Sequence, residues 1–188
     1  SPLHECIVYS KSTEQIVNDF NEYFVSVGKL AANVAVQLAK DNHIDIPAAM
    51  DPSIFIGNSF NFYPVSCTEI QRIIKSMPSN KSSGPDKVNM RVIKDVLQVI
   101  LQGPVTDIIN TSLATSTFPD YWKEAEVIPL LKKGDHEQAS NNRPLSLLKV
   151  DSKICEKVAF NQFSLYLSQN NHLSPHQSGN KKYHSTEL

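Results

Sequence analysis

Apolar residues recur at helical spacing near the start of the chain. Ile16, Phe20, Phe24, Val27, Leu30, Val34 and Leu38 fall along one side of a single long helix. Ser12, followed three positions on by Gln15, predicts its start, because the serine oxygen caps a free amide while the glutamine reaches back. So long a stripe needs a surface to cover it. Residues 41–64 break the pattern with Pro47, Pro52, Gly57 and Pro64, so they read as a linker with at most one short strand. A second helix begins at Ser66, with Glu69 three residues later. It carries Ile70, Ile73, Ile74 and Met77, and Pro78 ends it. The polar stretch 79–87 is a turn. Val92, Ile93, Val96, Leu97 and Ile100 then predict a third helix. Gly103-Pro104 breaks or kinks it, and Ile108, Ile109 and Leu113 carry it on to about Ser116.

The pattern changes after Phe118-Pro119. Ala125 to Leu131 is a short apolar run of strand character, and Lys132-Lys133-Gly134-Asp135 reads as a turn. A second short strand is expected over about Leu145 to Leu148. A fourth helix follows from about Asp151 to Ser168, with Ile154, Val158, Leu165 and Leu167 partly buried. From Asn170 on the chain is polar and basic.

Composition narrows the classes. With 40% hydrophobic and 20% charged residues in 188, the chain can form a core and is not disordered throughout. Its net charge of −1 excludes a strongly basic nucleic-acid domain by total charge, but not a local basic patch. Residues 1–60 carry 3 basic and 7 acidic side chains, whereas residues 121–188 carry 9 and 7, so any polyanion contact is expected late in the chain. No apolar run reaches the length of a membrane span, and no membrane partner is expected. Three widely separated cysteines, Cys6, Cys67 and Cys155, favour a reducing compartment over a disulfide framework. His172, His176 and His184 are spaced too loosely for a metal site. Because the chain starts at Ser1 and stops in a polar run, it is expected to be a fragment.

Four segments, in this order, carry a resemblance. The first is Lys81-Ser82-Ser83-Gly84-Pro85-Asp86-Lys87-Val88 with Ile93-Lys94. The second is Phe118-Pro119, Trp122-Lys123, Ala125, Val127-Ile128-Pro129-Leu130 and Lys132-Lys133-Gly134-Asp135. The third is Asn142-Arg143-Pro144-Leu145-Ser146-Leu147-Leu148 with Ser152-Lys153-Ile154-Cys155-Glu156-Lys157 and Tyr166-Leu167. The fourth is Leu173, Gln177, Gly179 and His184-Ser185-Thr186. Together they resemble the reverse transcriptase of non-LTR (LINE-type) retrotransposons, in which an upstream helix like Phe20-Asn21-Glu22-Tyr23-Phe24 is also usual. The chain departs from that pattern in places. Lys87 stands where the pattern has glycine, Asn142 where an aromatic is common, and Asn180-Lys181-Lys182-Tyr183 where Phe-Arg-Lys-Gly is usual. The family's palm carboxylates, in a Phe-x-Asp strand and an Ala-Asp-Asp turn, do not occur before Leu188.

The resemblance implies an α+β, helix-rich fold. Residues 1–64 would form an N-terminal helical extension and linker, and residues 65–188 the fingers portion of a right-hand polymerase with the palm incomplete. It implies that Lys132, Lys133 and Arg143 lie on a hairpin that closes over the incoming deoxynucleoside triphosphate, where arginine grips phosphate oxygens as a fork and lysine supplies a point charge. It places Lys81, Ser83, Gly84 and Lys87, and later Gln177, Gly179, Lys181 and Lys182, along the RNA template. From spacing alone these are also solvated turns, a surface arginine and a polar tail.

Nucleotidyl transfer needs divalent metals held by carboxylates. Mg²⁺ is therefore expected for a complete parent enzyme, and no metal site and no catalytic residue in this chain. The implied partners are an RNA template, a DNA primer, a deoxynucleoside triphosphate and the remainder of the element's polyprotein. The chain alone is expected to be inactive. The alternative is a non-catalytic RNA-binding or protein-docking remnant of such an element.

Overall fold

The computed structural model describes residues 9–45, 59–97, 99 and 104–173. Six α-helices and one two-stranded sheet are seen among them: α1 (Thr13–Asp41), α2 (Cys67–Ser76), α3 (Met90–Asp95), α4 (Pro104–Thr115), α5 (Asp120–Lys123), β1 (Ala125–Leu131), β2 (Asn142–Leu148) and α6 (Val150–Gln169), with a 3-10 turn at Ala139–Asn141 before β2. The architecture mixes helices with a small sheet. The chain forms two compact units. The first joins the described part of Ser1–Ile56 to Val127–Ser146, and the second joins Gly57–Glu126 to Leu147–Leu188, again over the described residues.

The caps follow the sequence. Ser12 accepts from the Gln15 amide, and Gln15 Oε1 accepts from the Ser12 amide, closing both halves of the capping box on α1. Ser66 caps α2 through the Glu69 amide, and Asn89 caps α3 through the Val92 amide. Pro104 opens α4, where its missing N–H costs nothing. The predicted break at Gly103, together with residues 46–58 of the linker, lies outside the described residues.

In the first unit only Phe20 of α1 is buried. Its ring meets Phe24 edge-on at 5.6 Å. Ile16, Phe20 and Phe24 line an apolar groove with Val127, Pro129 and Pro144 of the hairpin. Farther along the stripe, Leu30, Val34 and Leu38 are exposed. The helical period is therefore present along the whole stripe, but burial is confined to its first half.

The second unit holds the core. Ile70, Ile73 and Ile74 of α2, Met90 and Ile93 of α3, Ile109 and Leu113 of α4 and Trp122 of α5 surround Val150, Ile154, Cys155 and Val158 of α6. Two amide side chains fasten the segment leading into α2. Gln162 accepts from the Tyr63 amide (3.1 Å) and donates to the Tyr63 carbonyl (2.9 Å), and Asn110 does the same for Val65 at 2.8 and 3.0 Å. Each replaces a missing neighbouring strand, so the extended backbone is satisfied without a sheet.

Two features differ from the sequence reading. The helix α5 and the 3-10 turn are too short for periodicity to reveal. The second strand starts at Asn142, three residues before Leu145, and so contains Pro144. The hairpin register explains how. The Lys132 amide donates to the Asn141 carbonyl at 2.8 Å, which makes these residues opposite partners in a hydrogen-bonded pair. Continuing that register sets Pro129 opposite Pro144 at a position where neither strand needs an N–H.

Candidate functional site

The register assigns faces to the hairpin residues. Val127, Pro129, Pro144 and Ser146 share the face turned to the α1 groove. Ile128, Leu130, Lys132, Arg143 and Leu145 share the other, because side chains alternate along a strand and opposite residues point the same way. Lys132 and Arg143 are then diagonal neighbours, with Cβ atoms roughly 7 Å apart. Both side chains are exposed, and neither has a hydrogen-bond or ion-pair partner among the described residues. Lys133, also exposed and unpaired among them, lies in the connection. Next to it Gly134 takes φ +71°, a left-handed position that favours glycine, and the Asn141 side chain donates to the Asp135 carbonyl to close the loop. Two unneutralised cations on one face, beside the exposed aliphatic side chains Ile128, Leu130 and Leu145, suit a ligand with both phosphate and a flat apolar part.

Asn142, which replaces the aromatic common in the resembling family, has a local role. It is buried, and its amide donates to the carbonyls of His136 (3.1 Å) and Gln138 (2.9 Å), pinning the approach to β2. The sequence marks Asn142 only as a departure from the family pattern, not as this anchor, and gives no sign of the link between Ser10 and Glu137. There the Ser10 amide and hydroxyl both donate to the Glu137 carboxylate, while the Tyr9 ring meets His136 edge-on at 4.9 Å. The Ser10 hydroxyl, first among the causes, holds the Glu137 carboxyl below its ordinary value.

In the second unit the turn over 81–87 is built on the hairpin's open end. Gly84 is buried, and a Cβ there would lie 2.6 Å from the Lys149 nitrogen and 2.8 Å from the Leu148 carbonyl carbon. Its close approach is thus to the chain's own backbone. The Lys87 amide donates to the Gly84 carbonyl at 3.0 Å, and the Val88 amide to Asp86 Oδ1 at 3.1 Å. Lys87 takes φ +56°, and its ammonium pairs with Glu126 at 2.6 Å. Lys81 is exposed and without a partner among the described residues, and Ser83 is half-buried. Lys153 donates to the Ser82 carbonyl at 3.0 Å. The residues assigned to the template here are therefore of two kinds: Lys81 is free, whereas Gly84 and Lys87 are committed to the fold. Gln177, Gly179, Lys181 and Lys182 lie outside the described residues.

Among the described residues no group of three or more histidine, cysteine or carboxylate side chains is placed to hold a metal ion. Burial, then the nearby Asp86, pushes the Asp151 carboxyl up. Among the described residues no helix is long and apolar enough to cross a membrane.

No protein-family model matches the chain. Over 125 residues, 65% of its length, the chain is 34% identical to the "Probable RNA-directed DNA polymerase from transposon BS" of Drosophila melanogaster, and covers 14% of that protein. Over 158 residues, 84% of its length, it is 25% identical to the "RNA-directed DNA polymerase from mobile element jockey" of the same species, and covers 16% of it. The chain is similar to RNA-directed DNA polymerases of transposons. This agrees, at that level, with the resemblance carried by the four motif segments. The chain spans about one-seventh of the length of the curated relatives it matches.

Proposed function

We propose that the chain is the N-terminal, fingers part of the reverse-transcriptase domain of a non-LTR-type transposable element. In this reading the hairpin face bearing Lys132 and Arg143 takes the triphosphate of the incoming deoxynucleotide. The exposed aliphatic side chains of that face meet the apolar part of the bound partner. Lys81 touches template phosphate, and Gly84 and Lys87 hold the turn that presents it. The observation that carries the reading is the placement of two unneutralised cations as diagonal neighbours on one strand face, within a chain similar to transposon polymerases. The metal-holding carboxylates belong to a part of the domain beyond this chain, which supplies binding and orientation and no chemical step.

The test is binding of an RNA template annealed to a DNA primer, measured across a salt series. Binding at low salt that weakens on Lys81→Ala and falls with added salt is the expected result. With Mg²⁺ and all four deoxynucleotides the chain alone leaves the primer unextended. Primer extension by the purified chain, or no affinity for the template-primer even at low salt, would overturn the reading.

A further inference from the structure

Lys149 is only 1% exposed, and it has the largest fully buried side chain among the described residues. A buried ammonium is costly unless its hydrogen bonds are met. Here its Nζ donates to the Tyr121 carbonyl (2.6 Å) and to Glu124 Oε2 (2.5 Å), and it lies 3.1 Å from the centre of the Tyr121 ring. Glu124 immediately precedes β1, and Lys149 immediately follows β2. The register that pairs Lys132 with Asn141 also sets 124 opposite 149. The ion pair is thus the next cross-strand pair past the open end of the hairpin. The Gly84 backbone is stacked against this end, and Lys87 holds Glu126 one pair from the strand terminus.

We propose that Lys149 is a positioning residue that locks the open end of the hairpin. It fixes the register and stiffness of β1 and β2, and so keeps Lys132 and Arg143 diagonal on one face. A slip of one residue would send one of the two cations to the opposite face. Pro129 and Pro144 face each other at a pair that exchanges no ladder bond, so the ion pair at the open end adds to the bonds on either side in holding the register. Only the last step, the effect on a nucleotide, rests on the proposed function.

The test uses the whole chain carrying Lys149→Met, which roughly keeps the buried volume and removes the charge, while Glu124, 63% exposed, stays solvated. Amide hydrogen exchange reads the hairpin, thermal melting reads the fold, and titration with a Mg²⁺-deoxynucleoside triphosphate reads the face. The expected result is a lowered but still cooperative melt, roughly tenfold faster exchange at the Glu126 and Leu147 amides, and nucleotide affinity weakened several-fold. Arg143→Ala should weaken the nucleotide without changing the exchange. Glu124→Ala, at a position whose side chain is 63% exposed, repeats the exchange test should Lys149→Met fail to fold. Unchanged hairpin exchange in a folded variant overturns the inference. If the unmodified chain binds no nucleotide, the nucleotide reading fails, and the exchange measurement alone decides the positioning role.

Discussion

The Lys87 ammonium sits 2.6 Å from the Glu126 carboxylate, yet Lys87 itself occupies a left-handed backbone position at φ +56°. The two facts oppose each other. A side chain at such a φ costs about 1 kcal/mol or more, and an exposed ion pair returns at most about 1 kcal/mol. The resembling family has glycine at this point of its pattern, which this geometry explains. Lys87→Gly should therefore stay within about 1 kcal/mol of the unmodified chain, as relief of strain offsets the lost pair and the freer unfolded backbone. Lys87→Val should lose about 1–3 kcal/mol, because a β-branched residue resists positive φ most. Urea denaturation of the two variants checks the order.

Gln162 and Asn110 replace strand partners for Tyr63 and Val65. Gln162 is 3% exposed, so Gln162→Ala takes the side-chain partner from the Tyr63 amide and carbonyl at a partly buried position. A loss of about 1–3 kcal/mol is expected from that alone. Gln162→Glu should also be destabilising, because a carboxylate cannot donate to the Tyr63 carbonyl. Chemical denaturation at neutral pH gives both values.

Gly28 stands inside α1, and a Cβ added to it meets nothing within 4 Å. A glycine in a helix interior costs roughly 0.5–1 kcal/mol against alanine. Gly28→Ala should raise the helical signal and stability by about that amount, as read by far-ultraviolet dichroism through a thermal melt.

The Ser10–Glu137 link makes stability depend on pH. The Glu137 carboxyl is held below its ordinary 4.5, so the folded form binds the charged state better than the unfolded chain does. The link's contribution is fully present above 4.5 and is lost as pH falls through the lowered value. Glu137→Gln should flatten this part of the acid limb, and Ser10→Ala should do the same. Melting curves taken from neutral to acid pH for the three proteins test it.

The parts legible in the sequence are those set by local chemistry. Ser12 and Ser66 name their own helix starts, and the bounds of β1 follow from its apolar run. The start of β2 is not legible, because Pro144 fits a strand only at a pair that exchanges no ladder bond, and only the register reveals that position. The stripe of α1 shows its period but not that Leu30, Val34 and Leu38 stay exposed, since burial depends on what packs there. Motif resemblance picked out Arg143 and Lys132, and parity along the strands sets both on one face. The buried Lys149 gives no such signal. A lysine after an apolar run reads as solvent-exposed until Glu124 is seen opposite it.

The hairpin face is proposed to bind the triphosphate of a nucleotide through Lys132 and Arg143. Titrating the chain at low salt with a fluorescent deoxynucleoside triphosphate in Mg²⁺ tests it most directly, with Lys132→Ala/Arg143→Ala beside the unmodified protein. Saturable binding is expected, weakened by at least roughly tenfold in the double variant through loss of charge-assisted phosphate contacts, while its melting temperature is unchanged. Equal affinity in both proteins, or no binding by the unmodified chain, would contradict it.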